Sequence, residues 1–266
     1  MKHNVSVVMS VFNGSEFLIR SIESILCQNL ESIEFVIIDD GSTDDSIQII
    51  NKYARSDQRI RCLRRNNGGL TSALNLGIEH TSCPYIARQD ADDFSMPDRL
   101  AKQLAFLEDN RNVGLVGTGF ADVDENLNIL RSNCTVLLPS AIRQALIMGN
   151  SLCHSSIMFR KDIFEKIGGY RKEFRYSQDY MLYFDFLRFS EIAILPEILV
   201  HRLVTEGMIT RRHSRSQRFW SAIARHQAIC AGLYGITAYG YVLRALTGNL
   251  LPIAVKRYLD NFRYGP

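Results

Sequence analysis

The first hundred residues alternate between short apolar segments and longer segments in which apolar residues recur every three or four positions. The short segments are rich in β-branched residues and predict buried strands: VSVVMSVF (5–12), IEFVII (33–38), RIRCLRR (59–65) and PYIARQ (84–89). The intervening segments have helical spacing, the first with Asn13 or Ser15 as its cap. This alternation predicts an α/β, Rossmann-like fold whose central sheet is mostly parallel and flanked by helices.

The second half is less regular but still predicts discrete elements. These are a hairpin at 113–130, a strand with a short helix at 155–170, and an aromatic-rich amphipathic helix at 177–190. From about residue 215 the pattern is helical again. Because Arg244 interrupts its apolar run, no segment reaches the length of a membrane span.

Composition narrows the class of protein. Of the 266 residues 46% are hydrophobic and 22% are charged, which is typical of a soluble globular chain. The six cysteines lie far apart without a Cys-x-x-Cys pair, so a reducing cytoplasm fits better than a disulfide framework or a zinc site. The N-terminus lacks the apolar core and cleavage site of a signal peptide. We therefore expect a cytoplasmic protein.

The charge is distributed unevenly. From residue 201 onward ten Lys and Arg oppose only Glu206 and Asp260, a net charge of +8, whereas the first 200 residues carry −5. An acidic body with a basic tail indicates an anionic partner, such as lipid headgroups or a phosphorylated acceptor; a solvated helical face is the alternative.

The densest cluster of acidic side chains lies in RQDADDFSMPDRL (88–100). Asp90, Asp92, Asp93 and Asp98 fall there within nine positions after a predicted strand. A second acidic pair, at 39–40, also follows a strand. The carboxyl ends of parallel strands meet at one edge of the sheet, where ligands bind. The sequence therefore predicts an acidic site at that edge, which disfavours nucleic acid as a ligand.

Carboxylates without Cys or His suit Mg²⁺ or Mn²⁺ rather than zinc. Such ions take one or two protein carboxylates and complete their coordination with substrate phosphates, so the cluster predicts a nucleotide-diphosphate site. The alternative, that the aspartates only cap the helix near Pro97, requires one aspartate and not four.

Six ordered segments resemble the family-2 glycosyltransferases of the GT-A fold, the inverting group that builds bacterial polysaccharides. The resemblance covers roughly residues 3–210. The segments are SVVMSVFNGSEFLIRSIESILCQ, VIIDDGSTDDS, NNGGLTSALNLGI, YIARQDADDFSMPDRL, CHSSIMFRKDIFEKIGGYRKEFRYSQDYMLYFDFLR and LPEIL. The resemblance implies hexosyl or N-acetylhexosaminyl transfer, with a UDP-sugar favoured as donor and a glycan or lipid-linked oligosaccharide as acceptor.

The resemblance also implies the nucleotide pocket. Ser10, Phe12 and Asn13 would open it, although the family usually has Tyr where Phe12 stands, so stacking survives and a hydroxyl is lost. Asp40 would accept the N–H of a uracil or thymine base. Arg65 would reach the nucleotide, and a surface role for this arginine is equally open.

On the same basis Asp92 would bind the metal directly, and Asp90 would face the ribose and the metal. His154 lies in the acceptor-side segment, and Tyr170 would line the sugar pocket. Asp179, in SQDY, corresponds to the catalytic base, which accepts the proton of the acceptor hydroxyl as that oxygen attacks the anomeric carbon.

One departure from the family's pattern leaves the identity of a third protein ligand to the metal or the diphosphate open. The family often has Tyr-Arg-x-His after LPEIL, but this chain reads VHRLVTEGMIT, with Thr205 where the histidine commonly falls. Alternative residues for that role are His201, Arg211, Arg212 and His213.

The predicted organisation is a catalytic domain over 1–210, with a nucleotide-binding half (1–100) and an acceptor-side half (101–210), followed by a basic amphipathic helical extension over 211–266. The extension suits peripheral binding to the cytoplasmic face of the inner membrane; packing on the catalytic domain or a dimer contact explains it as well.

Two other functions compete with this prediction. A sugar-1-phosphate nucleotidyltransferase requires a Gly-rich basic loop after the first strand, and SVFNGSEF has one Gly and no Lys or Arg. A non-catalytic relative that binds a nucleotide or glycan would lack Asp92 or Asp179, and both are present.

Overall fold

The computed structural model describes residues 4–134, 139–205 and 214–247. A nine-stranded sheet runs through them. In spatial order the strands are β3 (Ile60–Arg64), β2 (Ile33–Asp39), β1 (Val5–Val11), β4 (Tyr85–Asp90), β8 (Met158–Arg160), β6 (Val113–Val123), β9 (Glu191–Leu203) and β5 (Phe94–Ser95), with β7 (Ile129–Asn133) paired to β6.

Helices flank this sheet. They are α1 (Ser15–Leu26), α2 (Ser46–Ser56), α3 (Leu70–Glu79), α4 (Arg99–Asp109), α5 (Pro139–Met148), α6 (Lys161–Lys166), α7 (Gln178–Phe186), α8 (Ser214–Cys230) and α9 (Tyr239–Thr247). The four strands β1 to β4 pair in parallel, as does β6 with β9, whereas β8, β5 and β7 pair antiparallel to their neighbours. The predicted α/β fold with flanking helices is confirmed.

The sheet separates two apolar layers, because successive side chains of a strand point to opposite faces. Val8 and Ile38 face the layer that includes α3, while Val7 and Ile37 face the layer that includes α1. Helix α3 approaches so closely that a Cβ on Gly77 would lie 2.3 Å from Ile38 Cδ1.

The loop before α1 is fixed by the loop before α2. Asp44 Oδ2 accepts the amide of Ser15 at 3.0 Å, and Ser46 Oγ accepts the amide of Gly14 at 3.0 Å. The predicted capping of α1 by Asn13 or Ser15 is therefore wrong, since no side chain of its own caps this helix. Burial opposes ionisation of Asp44, but the hydrogen bonds that its carboxylate accepts from Ser46 and Ser15 prevail and lower its pKa to about 2.

Helix α8, which opens the described part of the predicted extension, packs on the rest of the fold. Trp220 contacts Phe174 with ring centroids 5.0 Å apart, and Ala224 and Ala228 belong to the same apolar layer as α7. In the part of the chain that the structure describes, no helix is long and apolar enough to cross a membrane. The rest of the predicted extension, at 211–213 and 248–266, lies outside the described residues. The boundary at residue 210 stays a prediction.

Candidate active site

The ends of three strands bring the predicted donor-side residues to one edge of the sheet. Ser10, near the end of β1, is in register with Ile38 of β2 and with Asp90 of β4. Asp39 ends β2, and Asp40 follows it. Side chains that are 30 to 80 residues apart in sequence therefore share this edge.

The predicted base-binding residues form a turn-stabilising cluster. Asp40 is buried, and its carboxylate accepts the amides of Gly68 at 3.0 Å and Gly69 at 2.8 Å. Arg65 Nε lies 3.1 Å from the same carboxylate, and Arg65 also donates to Ser72 Oγ at 2.9 Å. Asp40 and Arg65 thus lie together at the predicted pocket, and Asp40 also holds the turn after β3.

The aromatic and amide side chains at the end of β1 lie beside that cluster. Phe12 is 53% exposed, so its ring is open for stacking on a base. Asn13 adopts a left-handed backbone conformation (φ 51°), and its Oδ1 accepts the amide of Thr43 at 2.8 Å. Ser42 Oγ in turn accepts the amide of Asn13 at 3.0 Å. Asn13 therefore joins the end of β1 to the loop after β2 through both its side chain and its backbone amide.

Asp90 ends β4 in an ion pair with the buried guanidinium of Arg88. Burial opposes ionisation of Asp90, but the charge of Arg88 prevails and lowers its pKa. Asp92 is exposed, yet partial desolvation and the neighbouring charge of Asp90 raise its pKa to about 6. The two carboxylates therefore hold negative charge that Arg88 neutralises only in part.

Asp93 has a different role from its two neighbours. It is buried, accepts a hydrogen bond from Ser155 Oγ, and accepts the amide of Leu203 at 3.0 Å. Burial and then the charges of Asp90 and Asp92 raise its pKa well above the usual value. Asp93 joins β4, the 3-10 turn His154–Ser156 and the end of β9, and so supports the site.

A buried arginine beneath the acidic turn is absent from the sequence prediction. Arg99 donates to Gln89 Oε1 at 2.9 Å, to Gln103 Oε1 at 3.1 Å and to the carbonyl of Arg88 at 2.7 Å. Gln89 in turn donates to the carbonyl of Asp93 at 2.7 Å. The signal was present in the sequence, because Arg99 and Gln103 fall at i, i+4 on the apolar face of α4.

The predicted acceptor-side residues include Asp179, on helix α7. Asp179 is half-buried in the first turn of α7 and accepts a hydrogen bond from Asn150 Nδ2 at 2.8 Å. Burial raises the pKa of Asp179, with a smaller contribution from the charge of Asp90. The segment that carries Asn150 leads to the 3-10 turn His154–Ser156, where Ser155 donates to Asp93.

His154 and Tyr170 form a hydrogen-bonded pair, with His154 Nε2 2.7 Å from the Tyr170 hydroxyl. Burial, together with the charge of Arg88, lowers the pKa of His154 to about 3, so the imidazole is neutral. Tyr170 is 2% exposed. In this conformation His154 is the accessible member of the pair, and the predicted lining role of Tyr170 stays a prediction.

Two of the remaining sequence candidates lie within the described residues. His201 lies in β9 opposite Phe94, and Thr205 follows that strand. Arg211, Arg212 and His213 lie outside the described residues.

The predicted site for Mg²⁺ or Mn²⁺ can be compared with the side chains available as metal ligands. Within residues 4–134, 139–205 and 214–247, no three His, Cys, Asp or Glu side chains converge on a metal position. Asp90 and Asp92 nevertheless fit an ion that takes two carboxylates and leaves other positions to phosphate oxygens. Burial and then the charge of Asp90 raise the pKa of Asp92, and a cation bound between the two carboxylates would offset both effects.

Solved structures give the class of fold first. S. aureus TarS 1–349 in complex with UDP-GlcNAc superposes with a TM-score of 0.71 at 16% identity, over 93% of this chain and 71% of that one. The mannosyltransferase PcManGT from Pyrobaculum calidifontis, in complex with GDP-Man and Mn²⁺, gives 0.65 at 17% identity, over 93% and 70%. The fold is GT-A, as predicted.

Sequence comparison then gives the family. The model of glycosyl transferase family 2 matches residues 6–168. EpsE of Bacillus subtilis (strain 168) is 34% identical over 260 residues, covering 94% of this chain and 91% of EpsE. The amylovoran biosynthesis glycosyltransferase AmsE of Erwinia amylovora is 28% identical over 264 residues, covering 96% and 97%. This chain belongs to glycosyl transferase family 2, and the family predicted from the sequence is confirmed.

Proposed function

We propose that the protein transfers a hexosyl or N-acetylhexosaminyl group from a UDP-sugar to a hydroxyl of a glycan or lipid-linked oligosaccharide in cell-surface polysaccharide synthesis, with inversion at the anomeric carbon. The observation that supports this proposal is a chain of contacts between two acidic groups. Asp90 and Asp92 lie at and just after the end of β4, and Asp179 is held by Asn150, whose segment leads to the turn where Ser155 donates to Asp93. AmsE, named for amylovoran biosynthesis, supports the polymer context, and the TarS complex supports a UDP-sugar.

Each group has a distinct task in this proposal. Phe12 stacks on the base, and the cluster of Asp40 and Arg65 borders the nucleotide. Asp92 and Asp90 would hold Mn²⁺ or Mg²⁺, which supplies positive charge beside the diphosphate as the leaving group departs. PcManGT, described with Mn²⁺, supports a divalent ion.

Asp179 is the proposed general base. The acceptor oxygen forms its bond to the anomeric carbon while the bond to the diphosphate breaks on the opposite face, and the hydroxyl proton passes to Asp179. A raised pKa makes this carboxylate a stronger base than an ordinary aspartate. Asn150 fixes its orientation. A single displacement of this kind inverts the anomeric centre.

The basic tail fits an acceptor that is anchored in a membrane. Residues 201–266 carry a net charge of +8, and Leu243 and Leu246 on α9 are exposed. Positive charge beside exposed apolar side chains favours an anionic lipid surface. We propose peripheral binding to such a surface as the means by which a lipid-linked acceptor reaches Asp179.

The test of this function is slow donor hydrolysis, in which water takes the place of the acceptor. The protein is incubated separately with UDP-hexoses, UDP-N-acetylhexosamines and GDP-hexoses in Mn²⁺, and the first sugar released is followed by ¹H NMR. We expect release of the anomer opposite to that of the donor, and its loss in Asp179→Asn. Retention of configuration would contradict the single displacement, and turnover of GDP-sugars alone would contradict the uridine donor.

A further inference from the structure

Two structural segments hold the carboxylate of Asp179, and both form hydrogen bonds with helix α8. The first is helix α7, whose opening turn carries Asp179. The second is the segment after α5, from which Asn150 donates its hydrogen bond. The position of the carboxylate therefore depends on what fixes these two segments to each other.

The start of α7 is tied to α8 through Ser177. This residue adopts a left-handed conformation (φ 56°, ψ 28°), which a non-glycine residue seldom takes without support. Its hydroxyl lies 3.1 Å from the carbonyl of Gln217 and 3.1 Å from Ser221 Oγ, both on α8. Its carbonyl accepts the amide of Met181, the first hydrogen bond of α7. Helix α8 thus holds the turn from which α7 begins.

The end of α5 is tied to α8 through Arg225, which is buried. Arg225 donates to the carbonyls of Ile147 at 2.9 Å and Met148 at 3.4 Å, which end α5 just before Asn150. An arginine satisfies the free carbonyls of a helix C-terminus and complements its dipole. The same guanidinium lies 4.9 Å from the ring centroid of Tyr180, the residue after Asp179.

We propose that α8 is a positioning element for catalysis, in which Ser221 and Arg225 fix the two supports of Asp179 so that the carboxylate meets the acceptor hydroxyl. This inference rests on the role proposed above for Asp179. It makes part of the predicted C-terminal extension necessary for the chemistry, in addition to any contact that the tail makes with a membrane.

Three variants test the brace, which is the set of hydrogen bonds from Ser221 and Arg225 on α8 to the start of α7 and the end of α5. Arg225→Met removes the donors and keeps an apolar stem, Arg225→Lys retains one donor and the charge, and Ser177→Gly removes the hydroxyl where glycine accepts the backbone conformation. Ser214→Ala, at the exposed start of α8, is the control. We expect kcat to fall by about tenfold to a hundredfold in Arg225→Met and Ser177→Gly, with partial recovery in Arg225→Lys and none of this loss in Ser214→Ala.

Two readouts separate positioning from general loss of structure. The Kd for the donor nucleotide should stay within about twofold of the wild-type value, because the contacts that these variants remove lie on α5 and α7. The acid limb of the pH profile of kcat should move to higher pH, because a weaker hydrogen bond from Asn150 raises the pKa of Asp179. Equal losses in donor binding and kcat, or an unmoved acid limb, would overturn the proposal. If Arg225→Met does not fold, Ser177→Gly decides the question.

Hydrogen exchange distinguishes failure of the brace from failure of the proposed function. In Ser177→Gly the amides of the first turn of α7 and of 149–152 should exchange faster, while those of β4 keep their protection. Unchanged exchange would show that no brace exists, whatever the activity. If Ser177→Gly exchanges faster but the wild-type protein transfers no sugar, the proposed function is overturned. The contacts with α8 would then have no catalytic role.

Discussion

Asp179 illustrates how single residues in this site combine opposing requirements. Burial and the nearby charge of Asp90 disfavour its ionised form, whereas the hydrogen bond from Asn150 favours it. A general base benefits from a raised pKa, because the ionised form then binds the proton more strongly. The cost falls on stability, since a charge held in a desolvated position opposes folding above its pKa.

The Asp179→Asn substitution should separate these two effects. We expect the transfer rate to fall by about 10²–10⁴-fold, because the general base is lost. The melting temperature at neutral pH should stay the same or rise, because the amide removes a desolvated charge and still accepts the hydrogen bond of Asn150. Asp109→Asn, an exposed substitution on α4, is the control for both measurements. A large loss of stability in Asp179→Asn would contradict this view of the residue.

The same reasoning predicts the acid limb of the pH–rate profile. A folded-state pKa that is raised means that Asp179 becomes protonated, and inactive as a base, at a higher pH than an ordinary aspartate. We expect kcat to begin falling above the ordinary aspartate pKa of about 3.9 as the pH is lowered. Asn150→Ala should move the limb further upward, because it removes a hydrogen bond to the ionised form. A downward shift in that variant would contradict the assignment.

Sequence reasoning locates Asp90 and Asp92 because their signal is local: carboxylates directly after a strand in a βαβ pattern must reach one sheet edge. It does not locate Arg88, Arg99 or Asn150. Their importance arises from burial and from partners that lie far away in sequence, such as Asn150 with Asp179. It also groups Asp93 with its neighbours, whereas tertiary contacts bury that side chain.

At the scale of elements, close packing of α3 on the sheet supports the donor edge. Because a Cβ at Gly77 would lie 2.3 Å from Ile38 Cδ1 and 2.8 Å from Val8 Cγ1, Gly77→Ala should push α3 away from β1 and β2. We expect a loss of about 1–3 kcal/mol in the free energy of unfolding, measured by denaturant titration.

The matched control is the same substitution on another helix. Gly240, in α9, has no atom within 4 Å of its would-be Cβ among the described residues. Gly240→Ala should therefore raise the free energy of unfolding by about 0.5 kcal/mol through helix propensity. Equal effects of the two substitutions would show that the approach of α3 is not as close as described.

The first four strands and their helices could be predicted because hydrophobic periodicity and βαβ spacing agree there. The two-stranded pairing of β5 with β9 could not be predicted, because Phe94 and Ser95 gain their strand conformation only from His201 and Val200. The capping of α1 was missed for the same reason, as its acceptors lie on the loop before α2.

At the scale of the whole molecule, the charge difference between body and tail predicts a salt-dependent association. The protein should sediment with vesicles that contain phosphatidylglycerol at low salt and be released as salt is raised, because exposed charges are screened. Pure phosphatidylcholine vesicles are the lipid control, and a chain truncated after residue 247 should bind more weakly. Equal binding to neutral vesicles would contradict an electrostatic contribution from the tail.

The central claim is that the acidic edge binds a nucleotide diphosphate together with a divalent ion. Calorimetric titration of the protein with UDP, with and without Mn²⁺, tests it most directly, alongside Asp92→Ala and the exposed control Asp109→Ala. We expect binding that requires Mn²⁺, is lost in Asp92→Ala and persists in Asp109→Ala. Binding of UDP that is the same without the metal, or that Asp92→Ala retains in full, would contradict the account.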